Sequence, residues 1–447
     1  MEYQEYMDTL REQITDKHAR EMVTREIEGH IAEQANAYEA EGMEHEEALR
    51  EAVRQMGDPV ETGSALGQIH RPVTPWQMLL LAFGITLVSL AVQGAIIAHI
   101  NGVGWQTEQF YELVFFHVIG FGVIFALLYA DYTFFIQHIY AFYGGYLCLT
   151  AVIMGCSGDR WFLGSAYVGY ALLSMQPLLF AGVLYRNRNR GIWGILVSIA
   201  VACAATMILI VMENLWLPNT VSTAAIIENE LILFVMLLAA LGRGIYAGNR
   251  RKQVLAVLVV GVLLGVCGML MVYRSPYQRA RLTTLFNAAD SMEGYCNTRI
   301  REAVDSFTLT GTGTFSEMAV REAHYEGVYL LNDIFSYFGI ALGVAVFMAL
   351  VVFVVYAFRV TFRQSSRMGF LVGLACSCSI CVRLIAYVAI NFGYAVWYTT
   401  AVPFLGNQWL SILTNAVYVG LLLCVARNTM TVGNAADDSR SLRVALK

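Results

Sequence analysis

Apolar and polar positions change rhythm at about residue 73. Before it, apolar residues recur at helical spacing within a polar chain: Val23, Ile27, Ile31 and Ala35 stand four apart, with Tyr38 three further on. That is one apolar stripe on a helix, and Gly42 suits the position just past its end. "EHEEALREAVRQMGDP" repeats the pattern with Leu49, Val53 and Met56, and Gly57-Asp58-Pro59 stops it. Leu10 and Ile14 predict a shorter helix ahead of these, and residues 60–69 another behind them. The expected product is a small helical bundle over residues 1–72. It has no cationic lead with an apolar core, so it does not read as a signal peptide.

After residue 73 the short periods give way to long apolar runs. A spanning helix needs about 20 apolar residues. Ten candidate runs occur, at roughly 75–98, 108–129, 133–155, 168–185, 191–213, 222–242, 253–273, 328–357, 369–391 and 403–426. Gly169, Ser174, Gln176 and Pro177 interrupt the fourth. Composition points the same way: 57% of residues are hydrophobic, 14% are charged and the mean hydropathy is +0.55. A soluble chain is about 45–50% apolar and about 25% charged. The pattern predicts an all-α polytopic membrane protein, with a ten-helix membrane domain over 73–428 and a tail over 429–447.

Charge supplies an orientation. Residues 1–70 hold 6 Lys/Arg and 17 Asp/Glu, a net of −11; the rest holds the remaining 23 of 29 basic and 17 of 34 acidic residues, a net of +6. The basic stretches "YRNRNRG", "GRGIYAGNRRK" and "FRVTFRQSSR", and the tail after Arg427, all fall on the head's side of a ten-span chain. Basic loops concentrate on the cytoplasmic side, so both chain ends are expected there. Residues 274–327 then form a large external loop. It opens with "RSPYQRARLTTLFNAADSMEGYCN", which puts Arg274, Arg279 and Arg281 on the outer side. Long loops are weakly bound by the charge rule.

Ionisable residues inside spans are costly and point to function. Glu213, Glu228 and Glu230 fall toward the outer half, Asp333 about one turn inside the outer face, and Arg383 near mid-depth. Two readings stand together: salt bridges between helices, or an outward-facing polar cavity lined by Glu228, Glu230 and Arg383. A cavity beside outward arginines suits an anionic ligand, above all phosphate, whose oxygens Arg holds bidentately. Cys376, Cys378 and Cys381 are spread around a helix with apolar flanks and read as packing. Cys156 and Cys296 both face outward in this topology and could pair. His18, His30, His45 and His70 have no metal-ligand spacing. No metal site is expected.

Two resemblances sharpen this. The stretch "HIAEQANAYEAEGMEHEEALREAVRQMGDPVETGSALGQIHRP" resembles the permease prefix domain. That module precedes the membrane domains of many transporters and cell-envelope proteins in low-GC Gram-positive bacteria, and implies a bacterial, cytoplasmic head. In the membrane body, four stretches in order resemble the SEDS glycosyltransferases, the FtsW/RodA/SpoVE group. "GDRWFLGSAYVGYALLSMQP" is similar to G-x-x-R-W-I … Q-P-S-E and supplies Arg160, Trp161, Gln176 and Pro177. "PYQRARLTTLFNAADSMEGYCNTRIREAV" resembles the family's opening of the large external loop, "HYEGVYLLNDIFSYFGIALG" its H-T-D-F-I-F … E-E-L-G-L-x-G, and "INFGYAVWYTTAVPFLGNQWLSILTNAVYVGLLLCVAR" its last two spans.

The second resemblance covers residues 75–428 and implies a function. The family polymerises lipid II, an undecaprenyl-pyrophosphate-linked disaccharide peptide, into glycan strands at the outer face of the bacterial cytoplasmic membrane. It works beside a class B penicillin-binding protein transpeptidase. No nucleic-acid partner is implied. Arg160, Trp161, Gln176, Arg279, Arg281 and His324 would meet the substrate. A carboxylate must take the attacking hydroxyl's proton; matching His324 to the family's His makes Glu326 that base, with Asp333 as second candidate. Cations or a divalent metal must stabilise the leaving pyrophosphate; no other cofactor is implied. Three departures weigh against catalysis. Leu179 and Gly182 replace the family's Glu and Lys after Q-P, Asn219 in "LPNTVSTA" replaces an Asp, and "LGNQW" replaces S-Y-G-G. The alternatives are therefore a catalytically degenerate scaffold or lipid II binder, and a polyprenyl-linked sugar transporter, for which no inverted repeat is visible.

Overall fold

The computed structural model describes residues 2–100, 104–156, 172–216, 223–274, 276–283, 295–311, 328–394, 403–406 and 409–429. Among them the regular structure is helical throughout. The chain divides into two compact units. One is residues 1–75 with 362–370 and the stretch from Val425; the other is 76–361 with 371–424.

The first unit opens with four helices: α1 Tyr3–Gln13, α2 Lys17–Ala40, α3 His45–Gln55 and α4 Pro59–Ile69. Their starts follow from the sequence. The Asp16 carboxylate accepts from Ala19 N at 2.9 Å, and the Asp58 carboxylate accepts from Val60 N at 2.7 Å with Pro59 in the first turn. Val23, Ile27, Ile31 and Ala35 turn inward and meet Tyr6, Met7, Leu10, Ile14 and Val53 in one apolar core. A Cβ on Gly63 would stand 2.9 Å from Leu10 O, so α4 lies close against α1.

In the second unit the helices are α5 Trp76–Ile100, α6 Gly104–Leu128, α7 Tyr132–Gln137, α8 Ile139–Cys156, α9 Gln176–Asn187, α10 Gly191–Trp216, α11 Thr223–Gly242, α12 Arg250–Arg274, α13 Pro276–Thr283, α14 Tyr295–Asp305, α15 Leu330–Asp333, α16 Ile340–Arg363, α17 Arg367–Asn391 and α18 Trp409–Arg427; the last residues of α16, the first of α17 and the end of α18 belong to the first unit. Seven stretches among the described residues have the length and composition to cross a membrane: Trp76–Ala95, Phe110–Leu128, Gln176–Val211, Arg250–Leu270, Ile340–Arg363, Arg367–Asn391 and Trp409–Arg427. The chain is a multi-pass membrane protein. Burial ranks these stretches: 72% of the apolar window of α17 and 67% of that of α18 are inside the protein, against 11% for α12. α17 and α18 are therefore central, and α12 presents most of its surface outward.

Small residues bring these helices together, as expected where lipid gives no hydrophobic drive to helix pairing. A Cβ on Gly420 of α18 would lie 2.9 Å from Leu127 Cβ of α6, and one on Gly373 of α17 would lie 2.8 Å from Thr361 Oγ1 of α16. Thr361 Oγ1 also meets Ser377 Oγ at 2.9 Å. The run expected as one helix over 328–357 is broken. The short α15 passes into a π-type turn, Ile334–Phe338, and then reaches Gly339 at φ +90° before α16 begins. That left-handed φ suits glycine, and it restarts the chain in a new direction.

Candidate functional site

Two clusters of buried polar side chains lie in the membrane unit. The first joins five elements. Gln176, the first residue of α9, is fully buried. Its Nε2 donates to Ala202 O at 2.9 Å and to Thr206 Oγ1 at 3.0 Å, both on α10, and its Oε1 accepts from Asn229 Nδ2 of α11 at 2.9 Å. Thr206 Oγ1 lies 2.7 Å from Glu230 Oε1, which adds a carboxylate to the chain of contacts. Beside it, Arg383 of α17 holds Glu228 of α11, with Nε 3.8 Å from Oε1 and both side chains at or below 10% exposure. The same guanidinium donates through Nη2 to Ser174 O at 3.1 Å and stands 4.9 Å from the centre of the Tyr418 ring on α18. The Tyr418 hydroxyl also donates to Ser174 O. Sequence placed Glu228, Glu230 and Arg383 in one polar group and gave Gln176 separately as a substrate contact. The structure brings them together as ties among α9, α10, α11, α17 and α18, with their described partners inside the protein.

The second cluster surrounds Asp333. Asn391, at the end of α17, accepts from Asn332 N at 2.8 Å through Oδ1 and donates through Nδ2 to Val328 O at 2.9 Å and Tyr387 O at 2.8 Å. Asn332 Nδ2 returns a bond to Asn391 O at 3.0 Å, and Tyr387 OH accepts from Leu331 N at 3.2 Å. This clasp satisfies buried backbone groups that a broken helix leaves without helical partners. It fixes residues 328–333, and Asp333 is buried within it at 6% exposure. α14 is fastened to the same end of α17: Arg301 Nε donates to Gly393 O at 3.0 Å, and its guanidinium covers Tyr394 at 4.6 Å. Ile300, Val328, Tyr329 and Ile390 form the apolar floor between them. Residues 308–311 complete the arrangement, since Ile340 N donates to Thr308 O at 2.9 Å and Ala341 N to Leu309 O at 3.2 Å. Those are the first donors of α16, which have no helical acceptor.

The remaining expected residues divide by position. Arg279, on α13, is exposed, with its guanidinium 5.1 Å from the Tyr273 ring. Arg281 shares that helix; its side chain lies outside the described residues, as do Arg160, Trp161, His324 and Glu326. Cys376 and Cys378 are buried free thiols, and no His, Cys, Asp or Glu trio among the described residues is grouped to hold a metal. Thr206, Asn229 and Tyr418 carry the first cluster without standing out in the sequence, and Asn391 carries the second. Asn391 had a signal, as the first polar residue of "NFGY" after a long apolar run.

Comparison with known proteins gives a fold. No family model matches the chain, and no curated protein matches its sequence. Among solved structures it is similar to a chain from a peptidoglycan synthase complex described for its structural coordination of polymerization and crosslinking. The TM-score is 0.61 at 14% identity, covering 80% of this chain and 98% of that one. It is also similar to a variant of the rod shape determining protein RodA from Thermus thermophilus, with a TM-score of 0.51 at 11% identity and the same coverages.

Proposed function

We propose that this chain, which has the fold of RodA, is a divergent SEDS-type glycosyltransferase with ten membrane spans and both ends in the bacterial cytosol. It polymerises lipid II at the outer membrane face, beside a class B penicillin-binding protein. The observation that carries this reading is the fold likeness over almost the whole length of a chain from a peptidoglycan synthase complex. The four sequence stretches named above support it in register. Glu326 takes the proton from the attacking sugar hydroxyl, with Asp333 as the second candidate. Arg279 and Arg281, with Arg160, neutralise the pyrophosphate as it leaves. Trp161 and His324 complete the substrate path; Gln176, expected there from the motif, is fully buried with its amide held by Ala202, Thr206 and Asn229. A divalent cation would supply further charge at the pyrophosphate. Residues 1–72 form a permease-prefix-like cytoplasmic head.

A second reading has its own support. At the position where the family pattern has Lys, a Cβ on Gly182 would already lie 2.5 Å from Ile139 Cγ1. At the position where it has Glu, Leu179 packs with Ile139, Tyr143, Val183 and Ala205. Gly182 has no room for a longer side chain, and a charge at Leu179 would be enclosed by apolar neighbours. A non-catalytic scaffold that binds lipid II fits those two positions. One experiment separates the readings. Purified full-length protein is given labelled lipid II and the products are resolved by size. Glycan ladders from the unmodified protein, abolished in Glu326→Ala, are the expected result. Lipid II binding without any ladder would replace the enzyme with the scaffold.

A further inference from the structure

Two basic loops of the membrane unit are joined at one place. "YRNRNRG", residues 185–191, carries Arg186, Arg188 and Arg190; "GRGIYAGNRRK", residues 242–252, carries Arg243, Arg250, Arg251 and Lys252. They are 52 residues apart from Arg190 to Gly242 in the chain, yet Ala247 N donates to Arg188 O at 3.4 Å, and a Cβ on Gly191 would lie 3.1 Å from Ala247 O. The join is built from below. Tyr246 OH donates to Leu184 O at 3.4 Å and meets Ser198 Oγ at 3.3 Å, and Asn187 Nδ2 reaches the same Ser198 Oγ at 3.4 Å. Arg190 is steadied by Asn187 Oδ1 at 3.2 Å. Arg186, Arg190, Arg243, Arg250, Arg251 and Lys252 are exposed.

Between Tyr185 and Lys252 the sole acids are Glu213, Glu228 and Glu230, all within α10 and α11 and none in either loop. Arg250, Arg251 and Lys252 form the first turn of α12, with no acid in that turn, although a helix N-terminus favours negative charge. Orientation in the membrane accounts for basic loops in general. It does not account for two of them being tied backbone to backbone. The surroundings indicate what the charges face. Trp193 is 72% exposed just past the first loop, and Leu196 and Leu255, one turn deeper on α10 and α12, are exposed apolar side chains. Cations at the rim, an interfacial Trp and aliphatic surface below match a phosphate headgroup above its own acyl chains. A soluble anion would need no such aliphatic surface.

We propose that the paired loops form a binding site for an anionic phospholipid of the leaflet they face, independent of any glycosyltransferase activity. The test uses full-length protein in nanodiscs of phosphatidylcholine with a minority of phosphatidylglycerol, followed by native mass spectrometry of the lipids retained on release. Unmodified protein is expected to retain phosphatidylglycerol above its share of the bilayer. The variant Arg190→Gln/Arg250→Gln/Arg251→Gln should lose that excess, by roughly five-fold for each cation removed, while Arg190→Lys/Arg250→Lys/Arg251→Lys keeps it. Arg359→Gln/Arg363→Gln, at the basic end of α16, should also keep it. Retention unchanged in the Gln triple overturns the proposal. An equal loss in the Arg359/Arg363 variant overturns it too, by reducing the effect to net charge. So does displacement of the lipid by inorganic phosphate alone. Should the Gln triple fail to fold, Arg250→Gln alone carries the test at the smaller, roughly five-fold expectation.

Discussion

Replacing Arg383 by Met tests whether the first polar cluster is a structural tie. Arg383 and Glu228 are 3.8 Å apart and almost fully enclosed. Their Coulomb attraction at that distance is about 4 kcal/mol at an effective dielectric near 20. Met fills similar volume but removes the charge, the donor to Ser174 O and the cation over Tyr418. Breaking one partner of a buried pair costs about 3–5 kcal/mol, mostly because the other charge is left buried without its counterion. Replacing both partners by apolar residues is often close to neutral. Arg383→Met and Glu228→Met are therefore each expected to lose about 3–5 kcal/mol, and the double variant much less than their sum. The assay is reversible unfolding of the purified protein in mixed detergent–SDS micelles, read as a double-mutant cycle. A coupling energy below about 0.5 kcal/mol, the scatter of independent sites, would refute the tie and leave Arg383 available for a ligand.

Asn391→Ala removes the centre of the second clasp, the three side-chain bonds to Asn332 N, Val328 O and Tyr387 O, each worth about 0.5–1.5 kcal/mol net. Hydrogen exchange over residues 328–338 should accelerate by roughly 10-fold or more, at about 1.4 kcal/mol per decade, while α5 and α6 stay protected. Gly182→Ala places a methyl 2.5 Å from Ile139 Cγ1 and should cost about 1–3 kcal/mol by overpacking. In the same unfolding assay the penalty should fall well below additivity when combined with Ile139→Ala. Gly339→Ala forces a Cβ onto φ +90° and to 2.5 Å from Gly311 N, which is backbone and cannot swing aside. A loss of at least about 2 kcal/mol follows, visible as a reduced monodisperse fraction on size-exclusion chromatography.

Apolar run length made the membrane helices legible, because crossing a bilayer fixes both length and composition. It did not reveal which helices are central. Lipid and protein interior are equally apolar, so α12 and α17 read alike although one is mostly outside and the other mostly inside. The break at residues 334–339 was hidden for the same reason: "IFSYFG" is as apolar in a π-type turn as in a helix, and Gly339 alone hinted at it. Glu228, Glu230 and Arg383 were legible as a group because a charge inside a span demands a reason; Gln176 was legible only through its Q-P motif and not as their neighbour. Their partners were not legible. Thr206 also contacts Ala202 O one turn back, and a hydroxyl can do that in any helix whether or not it bridges to another. Ser174 takes part through its carbonyl, which no residue type announces.

The placement of the two clusters bears on where chemistry remains open. The polar groups of α9, α10, α11, α17 and α18 are largely spent on one another, and the positions at Leu179 and Gly182 are filled by packing. On the proposed reading, the reaction then falls to residues 274–338 together with Arg160 and Trp161. The described parts of that segment share an anchor. Arg301 binds Gly393, and Val328 and Asn332 bind Asn391, so both sides of residues 312–327 are held by the last turn of α17 and the residues after it. Glu326 is two residues from Val328, whose carbonyl takes one of the Asn391 bonds. A carboxylate used as a base needs such a fixed neighbour, because proton transfer depends on placement to a fraction of an ångström. Loosening the clasp should therefore lower turnover of lipid II more than its binding. A scaffold held together by the same clasp would show the opposite, with binding lost and no turnover to lose.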